Sequence, residues 1–358
     1  MNNLPKPLIT TIIPTYCRPN LLCRAIKSVL NQTYPNFQAC IYDNASGDET
    51  AQIVAELAKR DERVKYFCHS KNIGGLANVN YAMEHIDTDF FSILSDDDIL
   101  LPEFYDAALE GFIKYPEVFF SSTLTLFDAR SNICRPYGAN WIPGVYKPPD
   151  GLLTILRNGP PTWTGTLFRR EAIAKVGLLD NQVSSPSDLD FQLRIAAHFP
   201  YVISLKPGAV YMFHALSYSA QQSLSDIWPG WLKMINNLTQ DKKIPFNLRA
   251  CASDILTNKI QIVLSNMAWR SILQKDFEQA QRVADIFRAH YNLNRKAAFF
   301  YIIVKICKHS SFIYNLALFL NMIRKCLLKN KSLFLQKKDT NPLILAYVNK
   351  MKNDQSND

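Results

Sequence analysis

Hydrophobic and polar positions switch between two periods along the first hundred residues. Leu8–Pro14 is a continuous apolar, β-branched run, the pattern of a strand buried on both faces. It gives way to helical spacing at Leu21, Leu22, Ala25, Ile26, Val29 and Leu30, with Asn20 placed as the cap. The exchange then repeats. Phe37–Tyr42 reads as a strand, and after Ser46 to Asp48 the residues Ile53, Val54 and Leu57 share one helix face. Val64–Cys68 is a third strand, Ala77–His85 a helix and Phe90–Leu94 a fourth strand. Strands alternating with helices of this length predict an α/β fold: a Rossmann-like, mostly parallel sheet with right-handed crossovers, flanked by helices.

Further along, Pro102–Tyr115 reads as helix and Phe119–Phe127 as strand, followed by a loop rich in Pro, Gly, Trp and Tyr over Pro136–Pro149. Arg170–Val176 and Asp188–His198 have helical spacing, and Val210–Phe213 is a late strand. Past Ser225 the pattern turns helical and basic. The expected organisation is a catalytic domain over residues 1–225 and a helical extension over 226–358.

Charge sharpens that boundary. The chain of 358 residues carries a formal +9, but residues 226–358 hold 21 Lys/Arg against 9 Asp/Glu, a net of +12, leaving −3 for residues 1–225. Ile286 to Lys338 contains no acid at all, and within it lie the apolar runs Ala297–Val304 and Ser310–Ile323. Neither run reaches the roughly 18 residues that would suggest a membrane span. Two readings fit: an amphipathic segment lying on an anionic membrane surface, or helices that dock their apolar face on the main domain. No recognisable binding module accompanies the basic residues, so no nucleic-acid partner is expected.

With 48% hydrophobic residues the chain can bury a substantial core. None of its eight cysteines forms a CxxC pair, which argues against zinc and redox-dithiol chemistry and suits a reducing compartment. The N-terminal stretch lacks the apolar region of a secretory leader, so the sequons at Asn31, Asn44 and Asn237 are expected to stay unglycosylated and the protein cytoplasmic.

Ser95-Asp96-Asp97-Asp98 follows directly on the fourth strand. Ionised carboxylates are too costly to bury unpaired, so three in a row face a cation, a basic partner or water. At the carboxyl edge of a parallel sheet, where open α/β folds bind ligands, a divalent cation with oxygen ligands is the informative option. A solvated loop or helix start is the other. The first strand ends in Ile13-Pro14-Thr15-Tyr16 and the second in Asp43-Asn44-Ala45-Ser46-Gly47-Asp48, both pointing to that edge.

Together these fragments resemble glycosyltransferase family 2, the GT-A-fold enzymes that use nucleotide-sugar donors. The resemblance runs from about Leu8 to Ser219. It includes Thr11 to Tyr16, Ala25 to Gln32, Tyr42 to Ser46, Asn72-Ile73-Gly74-Gly75, the acidic loop, Phe168 to Glu171 with Gly177, and Ser187 to Asp190 with Arg194. It implies that Pro14, Thr15 and Tyr16 meet the nucleotide base, that Asp43 and Asn44 contact base or ribose, and that Asn72 and Asp96 also serve the donor. Asn44 stands where the family usually has a second acid. Val79 stands where an arginine is common. Mn²⁺ or Mg²⁺ is expected on Asp97, with Asp96, Asp98 and His214 as further candidate ligands.

The resemblance also implies an inverting transfer, with Asp188 as the base that takes the acceptor's proton. Ser187 replaces the first acid of the family's pair. An N-terminal helix position is expected to depress the Asp188 pKa through the dipole. Trp163 and Asp190 are weaker candidates for the acceptor site, and Tyr137, Trp141 and Tyr146 for a lid. The expected reaction moves a hexose, from a UDP-sugar for preference, to a hydroxyl of a glycan or lipid-linked saccharide, as in polysaccharide assembly on the inner face of the cell membrane. A catalytically inactive membrane scaffold on the same fold is the alternative. A sugar-nucleotide pyrophosphorylase is disfavoured, because Thr15-Tyr16-Cys17-Arg18-Pro19 lacks the glycine-rich loop it needs.

Overall fold

A computed structural model describes residues 6–128, 134–136, 141–212, 223–310, 314–315, 318 and 342–353. Its centre is a 10-stranded sheet. The opening units are β1 (Ile9–Thr15), α1 (Pro19–Leu30), β2 (Phe37–Asp43), α2 (Thr50–Arg60), β3 (Val64–Cys68), α3 (Gly75–Glu84) and β4 (Phe90–Ile93). All pairings among these strands are parallel, in the order β3-β2-β1-β4. Ile9, Ile12 and Ile13 of β1 are fully buried, and each such side chain contributes about 1.5–3 kcal/mol of burial. Asn20 lies inside α1 rather than capping it. The helix starts one residue earlier at Pro19, whose fixed φ and missing N–H suit that position.

The second half of the sheet is mixed. It is built from β5 (Ile99–Leu100), β6 (Phe120–Asp128), β7 (Cys134–Pro136), β8 (Gly144–Tyr146), β9 (Thr166–Arg169) and β10 (Tyr201–Met212). From β4 the order continues β9-β6-β10-β5, with β9 antiparallel to both neighbours and β10 parallel to β6. The late strand is therefore twelve residues long rather than four. Lys206, Pro207 and Gly208 break its apolar pattern at a bulge, which hides the continuity in the sequence. Helices α4 (Phe104–Lys114), α5 (Asp150–Asn158), α6 (Glu171–Val176) and α7 (Ser187–His198) pack around this half.

Trp141 and Tyr146, the lid candidates, pack on Tyr201 of β10, with the Tyr146 ring stacked on it at 5.2 Å, so these rings belong to the sheet's packing rather than to a lid. Tyr137 lies outside the described residues.

The C-terminal region is helical as expected: α8 (Leu224–Gln240), α9 (Phe246–Leu273), α10 (Phe277–Tyr291), α11 (Asn294–His309) and α12 (Pro342–Asn353). Its first part joins the core of the α/β half, since Met234, Leu238, Ala252 and Leu256 cluster with Phe191, Leu193 and Leu152. A side chain at Gly230 would collide with the Val183 carbonyl just before α7, so α8 is seated as closely as backbones allow. The last helix returns to the sheet edge, where Val348 and Met351 bury against Ile99, Leu101, Leu126 and Val210. No helix among the described residues is long and apolar enough to cross a membrane. Most of the Ser310–Ile323 run lies outside them.

Candidate active site

The carboxyl ends of β1, β2 and β4 meet at one edge, and three loops there are tied together by hydrogen bonds. Asp43 is almost wholly buried. Its Oδ1 accepts from the Ser46 backbone N–H (2.9 Å) and hydroxyl (2.6 Å), and its Oδ2 from the Tyr66 hydroxyl (2.6 Å). Ser46 Oγ in turn accepts from the Cys17 backbone N–H at 2.8 Å, linking the β2 loop to the β1 loop. Asn44 donates to Asn72 Oδ1 at 2.9 Å and accepts from the Ile73 backbone N–H at 2.8 Å. Asp43 and Asn44 thus tie together the loops that follow β1, β2 and β3. Tyr16, by contrast, is 48% exposed at the end of β1, a ring open to stacking.

The acidic loop turns immediately after β4, with the Asp98 N–H bonded to the Ser95 carbonyl at 3.0 Å. It carries the chain from the middle of the sheet to β5 at its far edge. Three consecutive acids consequently meet three environments. Asp96 accepts from the Thr15 hydroxyl at 2.9 Å and pairs with Arg18 Nη1 at 3.1 Å. Asp97 Oδ2 lies 3.5 Å from the same guanidinium nitrogen, while its carbonyl accepts from Arg24 at 2.5 Å. Asp98 is fully buried: one oxygen accepts from the Thr164 hydroxyl and the other from the Met212 backbone N–H at 2.9 Å.

Burial pushes the Asp96 carboxyl up to about 6. Desolvation, helped by the Asp97 charge, outweighs the lowering by Arg18 and Thr15. Burial and the Asp97 charge push Asp98 up to about 8.

Asp98 is thus an anchor that holds the loop against β10 and the turn Trp163–Gly165, rather than a third oxygen beside the other two. Among the described residues no three His, Cys, Asp or Glu are grouped to hold a metal ion. His214 lies outside those residues. The donor chemistry that remains is the Asp96–Asp97 pair. It fits Mg²⁺ or Mn²⁺, ions that take one or two carboxylates and complete their shell with water and substrate phosphate.

Asp188 sits at the start of α7 and is solvent-exposed, although protein atoms crowd around its carboxyl. Its Oδ1 accepts from the Leu189 backbone N–H at 2.7 Å. The expected depression of its pKa is reversed: burial raises it, against the lowering by backbone N–H groups. The turn before β9 connects this acid to the acidic loop, for Thr164 holds Asp98 while Pro161 accepts from Gln192 of α7 at 3.0 Å.

The two weaker acceptor candidates separate. Trp163 is half-buried, edge-on to Phe168 and Phe191, with its indole N–H lacking a partner. Asp190 is buried and bonded to Arg194 at 2.8 Å, and Arg194 also donates to the Val176 and Leu178 carbonyls. That arrangement braces α7 and keeps Asp190 out of the site. Arg18 and Thr164 were missed by motif reading, because only the fold brings them to the acids.

Similarity to known proteins bears on the family and the fold. Residues 10–177 match the family model described as glycosyl transferase family 2. An uncharacterized glycosyltransferase of Rickettsia conorii is 38% identical over 109 residues, which are 30% of this chain and 17% of that protein. The GalNAc(5)-diNAcBac-PP-undecaprenol beta-1,3-glucosyltransferase of Campylobacter jejuni is 36% identical over 96 residues, 26% of this chain and 31% of that protein. The matched segments are thus under a third of these relatives' lengths. Residues 1–349 of S. aureus TarS superpose with a TM-score of 0.60 at 15% identity, covering 84% of this chain and 91% of that one. With UDP-GlcNAc bound, the same protein superposes at 0.58, also at 15% identity, covering 78% and 81%. The parallel half-sheet, the acidic loop after β4 and the matched segment together identify residues 10–177 as a glycosyl transferase family 2 domain in a GT-A fold.

Proposed function

We propose that the protein is an inverting glycosyltransferase that moves a sugar from a nucleotide-diphosphate sugar, a UDP-sugar for preference, to a hydroxyl of a glycan or lipid-linked acceptor. The observation that carries this reading is the division of labour among the acids. Asp96 and Asp97 form a charge-paired couple at the sheet edge, and Asp188 is an accessible carboxylate of raised basicity at the start of α7.

In the proposed reaction the acceptor oxygen attacks the anomeric carbon as its proton passes to an oxygen of Asp188. The bond from that carbon to the β-phosphate oxygen breaks, and the nucleoside diphosphate leaves with the electron pair. Thr15 holds Asp96, Asp98 fixes the loop, and Tyr16 offers the nucleotide base a stacking face. Asp97 and Asp96 would hold a Mn²⁺ or Mg²⁺ ion, which when bound would neutralise charge on the leaving diphosphate. UDP-GlcNAc binding by TarS supports the donor class. The undecaprenol-linked substrate in the Campylobacter protein's name supports a lipid-linked acceptor.

Membrane placement has its own support. Helix α11 leaves Phe299 and Ile302 46% and 56% exposed, beside exposed Arg295, Lys305 and Lys308. An apolar stripe with a cationic border suits the interface of an anionic inner leaflet.

The test is donor binding and turnover. Thermal shift with Mn²⁺ against UDP-, dTDP- and GDP-sugars should single out one nucleotide class. The shift should vanish in Asp97→Ala, and transfer in Asp188→Asn. A wild-type protein that binds none of them speaks for the inactive scaffold.

A further inference from the structure

Arg18 pairs with both acids of the proposed donor site, and the inference rests on that donor reading. Arg18 stands where the chain leaves β1 and enters α1. Its backbone is fixed on both sides: Cys17, at φ 53°, donates to Ser46, and the Arg18 carbonyl accepts from Leu22 at 3.0 Å. From this fixed backbone the side chain extends to the acids. Its Nη1 reaches Asp96 Oδ1 at 3.1 Å and Asp97 Oδ2 at 3.5 Å, the two carboxylates best suited to a divalent ion. It is also the most open of the three, with 28% of its side chain exposed against 7% and 10% for the acids. A buried pair of like charges needs a counter-charge, and this guanidinium fills that role at the oxygens a metal would take.

We propose that Arg18 is the resident counter-ion of the donor site. It and a divalent ion compete for Asp96 and Asp97, and the incoming diphosphate relieves the competition by drawing the guanidinium away. A planar fork of donors matches phosphate oxygens as well as carboxylate oxygens, so the exchange keeps Arg18 paired throughout. The ion is then admitted together with its nucleotide rather than before it. Metal and nucleotide become coupled ligands, and the coupling is reciprocal.

The experiment is Mn²⁺ titration followed by electron paramagnetic resonance, without and with UDP, on wild type, Arg18→Ala, Arg18→Lys and Asp97→Ala. In wild type, UDP should tighten Mn²⁺ binding by roughly tenfold, inside the 5- to 150-fold range usual for coupled sites. Arg18→Ala should bind Mn²⁺ more tightly than wild type when UDP is absent and lose most of the enhancement. Arg18→Lys, which keeps the charge but not the planar fork, should fall between wild type and Arg18→Ala.

If Arg18→Ala binds Mn²⁺ alone no better than wild type while Asp97→Ala abolishes binding, the exchange is overturned and the donor site stands. If Asp97→Ala binds Mn²⁺ as wild type does, the metal reading of the loop fails and the exchange with it.

Discussion

The acids at the end of β4 and the acid at the start of α7 are neighbours in function and opposites in environment. Asp96 and Asp97 are buried beneath a guanidinium. Asp188 is accessible, and no charged neighbour among the described residues contributes to its pKa. The first arrangement suits an electrostatic role, because a pair that shares one cation can exchange it for another. The second suits proton transfer, because a carboxylate kept basic by its surroundings accepts a proton more readily. Each cluster also has a member sealed into the protein, Asp98 against Thr164 and Met212, and Asp190 against Arg194. The difference teaches that a run of acids is read residue by residue, by what each oxygen touches.

Asp188→Asn breaks the comparison most severely. It should lower kcat by about 10²–10⁴-fold, the usual worth of a general base, while leaving the donor-induced thermal shift in place. Loss of donor binding instead would make Asp188 part of the donor site.

Asp97→Ala should do the converse, removing the Mn²⁺-dependent thermal shift. Transfer that survives in this variant without added metal counts against an electrostatic role for the loop.

The pH profile sharpens the contrast. Asp188 works as its anion and its pKa is raised, so kcat/KM should climb with pH through a value above the ordinary aspartate range near 3.9. That acid limb should disappear in Asp188→Asn.

Asp98 sets a second pH effect, on stability. Its folded carboxyl holds a proton up to about 8, against 3.8 for an ordinary aspartate, so between these values the folded state binds more protons than the unfolded. Stability should therefore be fullest at the low end and decline as pH rises toward 8. Asp98→Asn, which keeps an acceptor for Met212, should flatten this decline in denaturant titrations across that range.

The smallest effect is expected farthest from both acids. Phe299→Ser with Ile302→Ser should reduce sedimentation with phosphatidylglycerol vesicles at low salt and leave donor binding unchanged. Wild type that stays in the supernatant under those conditions removes the membrane placement.

Much of this was legible from local signals. Each strand of the parallel half is a short apolar run bounded by turn formers, and each helix between them has its own 3.6-residue stripe, so β1 to β4 could be placed within a residue or so. The mixed half was less so. The two-residue β5 is too short to carry a period, β8 sits in a Pro- and Gly-rich stretch, and β10 crosses a bulge that interrupts its pattern.

For the site, sequence order indicated which acids matter but not how they differ. Nothing in Ser95-Asp96-Asp97-Asp98 distinguishes an anchor from a ligand. The reversal at Asp188 had the same cause, since a helix start predicts a lowered pKa and only the surrounding protein supplies the larger opposing burial.

By itself, then, the sequence determined the α/β class, the strand ends that meet at one edge, and the acids placed there, because hydrophobic period and turn chemistry act over a few residues. Only the tertiary structure decided that Arg18 pairs with Asp96 and Asp97, that Thr164 and Met212 seal Asp98, and that the last helix closes the sheet edge. These contacts join residues far apart in the chain, and burial, which sets their electrostatics, exists only once the layers have packed.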